Sequence, residues 1–261
     1  MKISLVTVSF NSAATIRDTF ESILKQDYSD YEYIVVDGLS KDATVDIIKE
    51  YEPRFQGKMR WISEKDSGLY DAMNKGIKMA TGDVVGILNS DDFFSASDVF
   101  SAVAQCFKEQ KPEAVYGDVL YVRPDDLTHI VRHYSSGSFK RWKMRLGLMP
   151  AHPTFYAQRQ LFDRLGFYRT DYRIAADFDL LLRFIFLANI KTSYIAKNFV
   201  TMRTGGVSTN SLKVHKLIMK EHLQSFKDAG CYSNVFLQSL RYWGKIYDLL
   251  AAKIRSYSKK A

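Results

Sequence analysis

From its first residues the chain alternates short β-branched runs with stretches in which apolar residues return every three or four positions. "KISLVTVSF" has the composition of a buried strand, and in the following "SAATIRDTFESILKQ" the residues Ile16, Phe20, Ile23 and Leu24 share one helical face. The pattern recurs twice: "YEYIVVDG" then "KDATVDIIKEYE", and "KMRWIS" then "GLYDAMNKGIKMA". A fourth apolar run, "DVVGIL", closes the series. Strands that alternate with helices predict βαβ units and a parallel sheet covered on both faces. Right-handed crossovers then bring the C-terminal ends of these strands to one rim, where open α/β sheets bind ligands.

The polar residues of the first hundred positions fall at that rim. Thr7, Ser9 and Asn11 follow the first strand, Asp37 the second, Asp66 the third, and Asp91 with Asp92 the fourth. The last two stand in "GILNSDDFFS", two like charges where a buried strand ends. Burying either unpaired is costly, so a cation is expected beside them; the competing reading is that Ser90, Asp91 or Asp92 caps a following helix. Four aspartates at three strand ends converging on one crevice favour a metal-bound diphosphate. The glycine signatures G-x-G-x-x-G and G-x-x-x-x-G-K-[ST] are missing, which removes the glycine-based phosphate cradles. Magnesium or manganese, which prefer oxygen ligands, suit two carboxylates completed by phosphate oxygens and water.

Composition narrows the class. With 261 residues and 46% hydrophobic content, the chain can bury a substantial core. The richest apolar run, "LLLRFIFLANI", is broken by Arg183 and falls short of a membrane span, and the N-terminus reads as a strand rather than an export signal. Cys106 and Cys231 lie far apart without metal-type spacing, which suits a reducing cytoplasm. The net charge of +8 is unevenly spread: residues 1–110 hold 12 Lys and Arg against 18 Asp and Glu, net −6, and the remainder holds 25 against 11, net +14. A basic second part suggests an anionic partner, but an acidic rim would repel a nucleic-acid backbone.

In "VTVSFN", "VVDGLSKDAT" with Asp37, "SEKDSGLYDAMNKGI" with Asp66 and Asn74, and "LNSDD", the chain resembles the family 2 glycosyltransferases, nucleotide-sugar-dependent enzymes. These motifs cover most of residues 1–120 in the family's order. The resemblance implies an α/β protein of the GT-A, nucleotide-diphospho-sugar transferase fold: a Rossmann-like, mixed but mainly parallel sheet flanked by helices, here with a C-terminal helical extension. It implies a donor site of Thr7, Ser9, Asn11, Asp37, Asp66, Asn74 and Asp91, with Asp37 on the nucleobase, Asp66 enclosing the nucleoside, Asp91 near ribose and metal, and Asp92 the main ligand of Mn2+ or Mg2+. For Asp37 a capping or turn role is the alternative, although Asp42 suits capping better. Residues 1–110 form the expected nucleotide-sugar half, 111–212 the acceptor and base half of the same domain, and 213–261 the extension.

Transfer to a hydroxyl needs a group that takes the acceptor's proton. In "YRIAADFDLLLRF", Leu180, Leu181, Phe184 and Ile185 form an apolar helical face with Asp177 and Asp179 in the first turn, where the helix dipole favours carboxylates. The resemblance places the catalytic base at Asp177, with Ala176 standing where the family usually carries Glu; the alternative is a capping Asp177 and a solvated Asp179. His152, between Pro150 and Pro153, is open to three roles besides a structural hydrogen bond: metal ligand, diphosphate contact or acceptor contact. Gln158 to Leu165 reads as a short helix. "MRTGGVSTNS" joins a strand to a long helix from Leu212, with Gly205 and Gly206 a lid or a turn and Arg203 within reach of a phosphate.

From Val235, Phe236, Leu240, Trp243, Tyr247, Leu250 and Ile254 recur at helical spacing, and six Lys and Arg against one Asp follow Leu240. The two readings are a basic amphipathic helix on an anionic membrane and one packed on the body. "QSLRYW" departs from the Q-x-x-R-W motif of processive synthases at Tyr242. The expectation is a cytoplasmic enzyme, peripheral on the inner face of the plasma membrane if that helix binds lipid. By resemblance it moves a sugar, with inversion, from a nucleotide-diphospho-sugar to a hydroxyl of a glycan or lipid-linked acceptor. Uridine diphosphate sugars are the first-choice donors, with guanosine and thymidine versions as alternatives. The rival classes are a nucleotidyltransferase acting on sugar phosphates and a non-catalytic basic binding protein.

Overall fold

The computed structural model describes residues 1–205 and 212–241. Strands β1 (Ile3–Ser9), β2 (Tyr31–Asp37), β3 (Met59–Ser63) and β4 (Val84–Ile87) are parallel, in the order β3-β2-β1-β4. Helices α1 (Ile16–Leu24), α2 (Thr44–Tyr51) and α3 (Leu69–Met79) connect them, each inside the stretch its periodicity predicts. At Pro53 the end of α2 tightens into a 3-10 turn, Glu52–Phe55, because proline has no N–H to continue the α pattern.

The second half extends the same sheet. It contains β5 (Phe93–Phe94), α4 (Val99–Gln110), β6 (Ala114–Val122), β7 (Ile130–Tyr134), β8 (Tyr156–Gln158), α5 (Gln160–Leu165), α6 (Ala176–Leu181), β9 (Thr192–Arg203) and α7 (Leu212–Asp228). From β4 the sheet continues β8-β6-β9-β5, with β7 on the flank of β6. Strand β8 runs antiparallel to both β4 and β6, whereas β6 and β9 are parallel, so the sheet is mixed. The helix expected over Gln158 to Leu165 therefore starts later, at Gln160, because Gln158 is taken into the ladder opposite Val84. Helix α4 ends at Gln110, and the sheet runs on across that position.

Both sheet faces are covered. Val6, Val8, Ile34 and Val36 pack with α3, α5 and α6 on one side; Ile3, Leu5, Tyr33 and Val35 pack with α1, α2 and α4 on the other. Helix α3 lies so close to β1 that a Cβ on Gly76 would sit 2.3 Å from Val6 Cγ1. Helix α6 passes into a π-helical turn, Leu182–Leu187, and Phe178 and Leu182 are buried along with the predicted apolar face, so this segment is enclosed nearly all round. Helix α7 closes the body: His222 stacks on Phe178 with ring centroids 3.6 Å apart, and Phe226 is buried. Residues 235–241 are helical, with Gln238 buried and Phe236 exposed; the rest of the expected amphipathic helix lies outside the described residues. No helix among the described residues is long and apolar enough to cross a membrane.

Candidate active site

Three strand ends form one rung across the rim. Ser9, Asp37 and Ser63 are in register on β1, β2 and β3, so their side chains share one face. The wholly buried Asp37 accepts hydrogen bonds from Ser9 Oγ (3.1 Å), Ser63 Oγ (2.7 Å), and Ser40 through both its backbone N–H (2.9 Å) and its Oγ (2.5 Å). Four donors hold the carboxylate at a fixed height. Asn11, at φ 51°, ties the loop after β1 to the loop after β2: its N–H donates to Ser40 Oγ and its Oδ1 accepts from the Lys41 N–H, both at 2.8 Å. Asp66 packs on Gly38, where a Cβ would lie 2.5 Å from its Oδ2, and is braced by the Gly68 N–H at 2.9 Å. Ser9, Asn11, Asp37 and Asp66 thus come together. Asp42 lies one residue before Ala43, the N-cap of α2, and accepts from the Thr44 N–H at 3.0 Å.

Two of the expected donor residues are placed elsewhere. Thr7 sits wholly buried beneath Ser9, one pleat further from the rim, with no surface left for a ligand. Asn74 spends its amide on the backbone of Tyr168, donating to its carbonyl at 2.8 Å and accepting from its N–H at 2.9 Å, so it pins α3 to the segment after α5. The structure adds two residues that the sequence pattern hides: Phe10 (61% exposed) and Leu39 (48% exposed, φ 61°) flank Gly38 as bare apolar surface beside Asp37 and Asp66. Phe10 simply prolongs the β-branched run of β1, so periodicity marks it as a strand residue.

The aspartate pair occupies a turn that is held in place by its backbone. Thr19 Oγ1 of α1 donates to the Asp92 carbonyl (2.7 Å), the Asp92 N–H returns to the Asn89 carbonyl (3.1 Å), and Ser12 and Ser90 hydroxyls bond at 2.8 Å. The carboxylates themselves are nearly bare. Asp91 is exposed and its carboxylate has no hydrogen-bond or ion-pair partner among the described residues, and Asp92, 1% exposed, takes only a 3.2 Å contact from Asn89 Nδ2. Asn89 Oδ1 is buried without a partner. Burial, then the charge of Asp91, raises the Asp92 pKa well above the ordinary carboxylate value. The next helix begins only at Val99, so neither aspartate caps it. Two carboxylates and an orphaned amide oxygen are a donor set for a hard divalent cation.

Arg203 lies beside this turn, 11% exposed, bonded to the Asp91 carbonyl and the Asp18 carboxylate and stacked on Phe93 at 5.3 Å. It is already anchored to α1. His152 does not join the aspartates: it is buried, its Nε2 lies 2.6 Å from the Tyr168 hydroxyl, and burial lowers its pKa to about 4, which keeps it neutral. Among the described residues no group of three or more His, Cys, Asp and Glu could hold a metal ion.

Asp177 sits near the N-terminus of α6, half-buried, its Oδ1 accepting from the Phe178 N–H at 2.7 Å. Burial, assisted by the charge of Glu221, raises its pKa to about 6. Glu221 of α7 reaches across and accepts from three successive backbone N–H groups, Arg173 (2.9 Å), Ile174 (3.1 Å) and Ala175 (2.8 Å), so it caps the segment that presents Asp177. From the other side Tyr70 of α3 donates to the Ile174 carbonyl and stacks on Tyr168 at 5.7 Å. The solvated role weighed for Asp179 does not hold: it is buried and pairs with Arg183 Nε at 2.8 Å, while the Arg183 guanidinium bonds the carbonyls of Leu165, Gly166 and Phe167.

A parallel four-strand half with an acidic rim, continued by a mixed sheet and flanked by helices, is the architecture of the GT-A fold. The sequence profile of glycosyl transferase family 2 matches residues 4–175, and the chain belongs to that family. It is 32% identical over 181 residues, 69% of this chain and 68% of the relative, to the PGL/p-HBAD biosynthesis glycosyltransferase Rv2957 of Mycobacterium tuberculosis. Over 90 residues, 34% of this chain and 36% of the relative, it is 38% identical to the putative teichuronic acid biosynthesis glycosyltransferase TuaG of Bacillus subtilis. Among solved structures it resembles S. aureus TarS 1–349 in complex with UDP-GlcNAc (TM-score 0.68, 18% identity), covering 87% of this chain and 66% of that one. It also resembles the Pyrobaculum calidifontis mannosyltransferase PcManGT in complex with GDP-Man and Mn2+ (TM-score 0.62, 19% identity), covering 87% and 63%. The chain spans slightly under two thirds of those structures.

Proposed function

We propose that the protein is an inverting, metal-dependent glycosyltransferase that moves a sugar from a nucleoside diphosphate donor, UDP-linked by first choice, to a hydroxyl of a glycan or lipid-linked acceptor. The observation that carries this reading is the aspartate turn, whose backbone is fixed while the exposed Asp91 carboxylate and the buried Asp92 carboxylate have almost no protein partner. Asp91 and Asp92 would hold Mn2+ or Mg2+, which when bound neutralises the charge that develops on the departing diphosphate. Asp37, wholly buried and engaged by its four donors, fixes the strand ends beneath the site, Phe10 and Leu39 supply apolar surface for the base plane, and Asp66 with Gly38 closes the nucleoside side. The solved relatives with UDP-GlcNAc and with GDP-Man and Mn2+ support this class of donor and metal.

Asp177 takes the acceptor's proton. A carboxylate in water is too weak a base to do much at neutral pH, and a pKa of about 6 brings it near the operating range while leaving it mostly ionised. Attack opposite the leaving group inverts the anomeric centre. The test is a donor screen that records nucleoside diphosphate release with and without manganese, repeated on Asp92→Ala and Asp177→Asn. Metal-dependent release, lost in the first variant, and retained donor binding without transfer in the second are expected. Release of sugar-1-phosphate would instead mark attack at phosphorus and overturn the reading.

A further inference from the structure

The basic character of the second part concentrates on one turn. No acidic residue occurs between Asp126 and Asp163, and within that span Lys140, Arg141, Lys143 and Arg145 fall in six residues. They lie on a 3-10 turn, Arg141–Leu146, entered from Lys140. Most arginines elsewhere among the described residues are ion-paired, among them Arg17 with Glu50, Arg54 with Glu21, Arg60 with Glu32, Arg164 with Glu113 and Arg183 with Asp179. None of the four cations on this turn has a carboxylate partner among the described residues. Between them Trp142 presents its indole to solvent, 56% exposed, and Leu187 on the adjoining π-helical turn is 42% exposed.

The turn is rigidly seated despite its exposure. Met144 is wholly buried, Arg141 and Arg145 lie over the Phe186 ring at 5.7 and 5.4 Å, and the Arg145 carbonyl accepts from Gln238 Nε2 at 3.0 Å. The described chain ends next to it, since Arg241 Cδ lies 3.1 Å from where a Cβ on Gly147 would sit.

We propose that the 140–145 turn is a membrane-contact face for an anionic phospholipid surface, with Trp142 entering the headgroup layer and the unpaired cations facing the lipid phosphates. Unpaired Lys and Arg give a surface attraction that a neutral bilayer does not provide, and an exposed indole among them suits the apolar-to-polar boundary of a bilayer rather than a phosphate backbone alone. The turn packs on the π-helical segment that continues the helix of Asp177, so a face held here brings lipid-borne hydroxyls to the base side of the protein. That last consequence rests on the proposed transfer reaction; the lipid contact itself does not.

The test is co-sedimentation of the full chain with vesicles of phosphatidylcholine alone and of phosphatidylcholine containing 30% phosphatidylglycerol, taking the parent, Lys140→Gln/Arg141→Gln and Trp142→Ala. Binding to the anionic vesicles that falls about 30-fold in the double variant, at about fivefold per cation, is expected. It should weaken in 500 mM salt and in the Trp142 variant, with unchanged thermal unfolding. Binding equal in all three proteins, or equal to neutral and anionic vesicles, would overturn the proposal. Displacement from the vesicles by duplex DNA or RNA at stoichiometric amounts would assign the face to nucleic acid instead. Nucleoside diphosphate release with a water-soluble acceptor, measured on the same variants, separates failure of the lipid contact from failure of the transferase reading.

Discussion

Replacing Asp177 with Asn should make the protein more stable and inactive at once. The carboxyl keeps a folded-state pKa of about 6 against about 3.8 for an unperturbed Asp. A raised pKa means that the folded state prefers the proton, so ionisation destabilises the fold as pH climbs through the interval from 3.8 to 6, and the full cost is present above 6. That interval corresponds to about 3 kcal/mol, and the partial exposure of the side chain reduces it to about 1–2 kcal/mol. Asparagine removes the charge and its Oδ1 still accepts from the Phe178 N–H. Urea unfolding at pH 7.5 should therefore show Asp177→Asn more stable by about 1–2 kcal/mol, about 2–6 °C in Tm. At pH 4.5 the gain should shrink to about a third, because by then the folded parent is protonated. Transfer should be lost at every pH. A variant less stable than the parent at pH 7.5, or a difference that ignores pH, would refute the reasoning.

Other expectations follow from the same contacts. Glu221→Gln should lower the Asp177 pKa by removing the facing charge, which moves the acid limb of the kcat/KM profile to lower pH, and should cost about 1–2 kcal/mol of stability through weaker capping of the Arg173 to Ala175 amides. Asn74→Ala should cost about 2–3 kcal/mol in urea unfolding by stranding the Tyr168 backbone groups, yet leave UDP affinity measured calorimetrically unchanged. Manganese at 100 times its Kd, added with UDP, should stabilise the parent by about 2.7 kcal/mol in thermal scans and leave Asp92→Ala unmoved. Gly38→Ala should force Asp66 off its seat at a cost of about 1 kcal/mol, about fivefold in UDP affinity.

The first half was legible because its elements are local. The strand β1 to β4 runs and the helices between them declare themselves by period, and the aspartates at their ends follow from topology alone. The second half resisted because its strands are tertiary: β8 is three residues long and exists only through its partners β4 and β6, and β5 is two residues long against β9. Side-chain commitments were equally invisible. Asn74 and Thr7 have the right chemistry and sequence neighbourhood for a ligand, but one is consumed by a backbone 94 residues away and the other is sealed beneath Ser9. Glu221 carried no local signal, lying mid-helix among lysines, and its importance arises from a segment 46 to 48 residues earlier.

The stretch matched by the family profile stops at residue 175, two positions short of Asp177, and the carboxylate that fastens the approach to Asp177 comes from α7. A shortened protein cut at that limit would lose Asp177 together with β9, which pairs with β5 and β6 and carries the Arg203 bonded to the Asp91 carbonyl. One that ended before α7 would retain Asp177 on an unfastened hinge. The matched stretch is thus shorter than the set of elements that hold either carboxylate site in place.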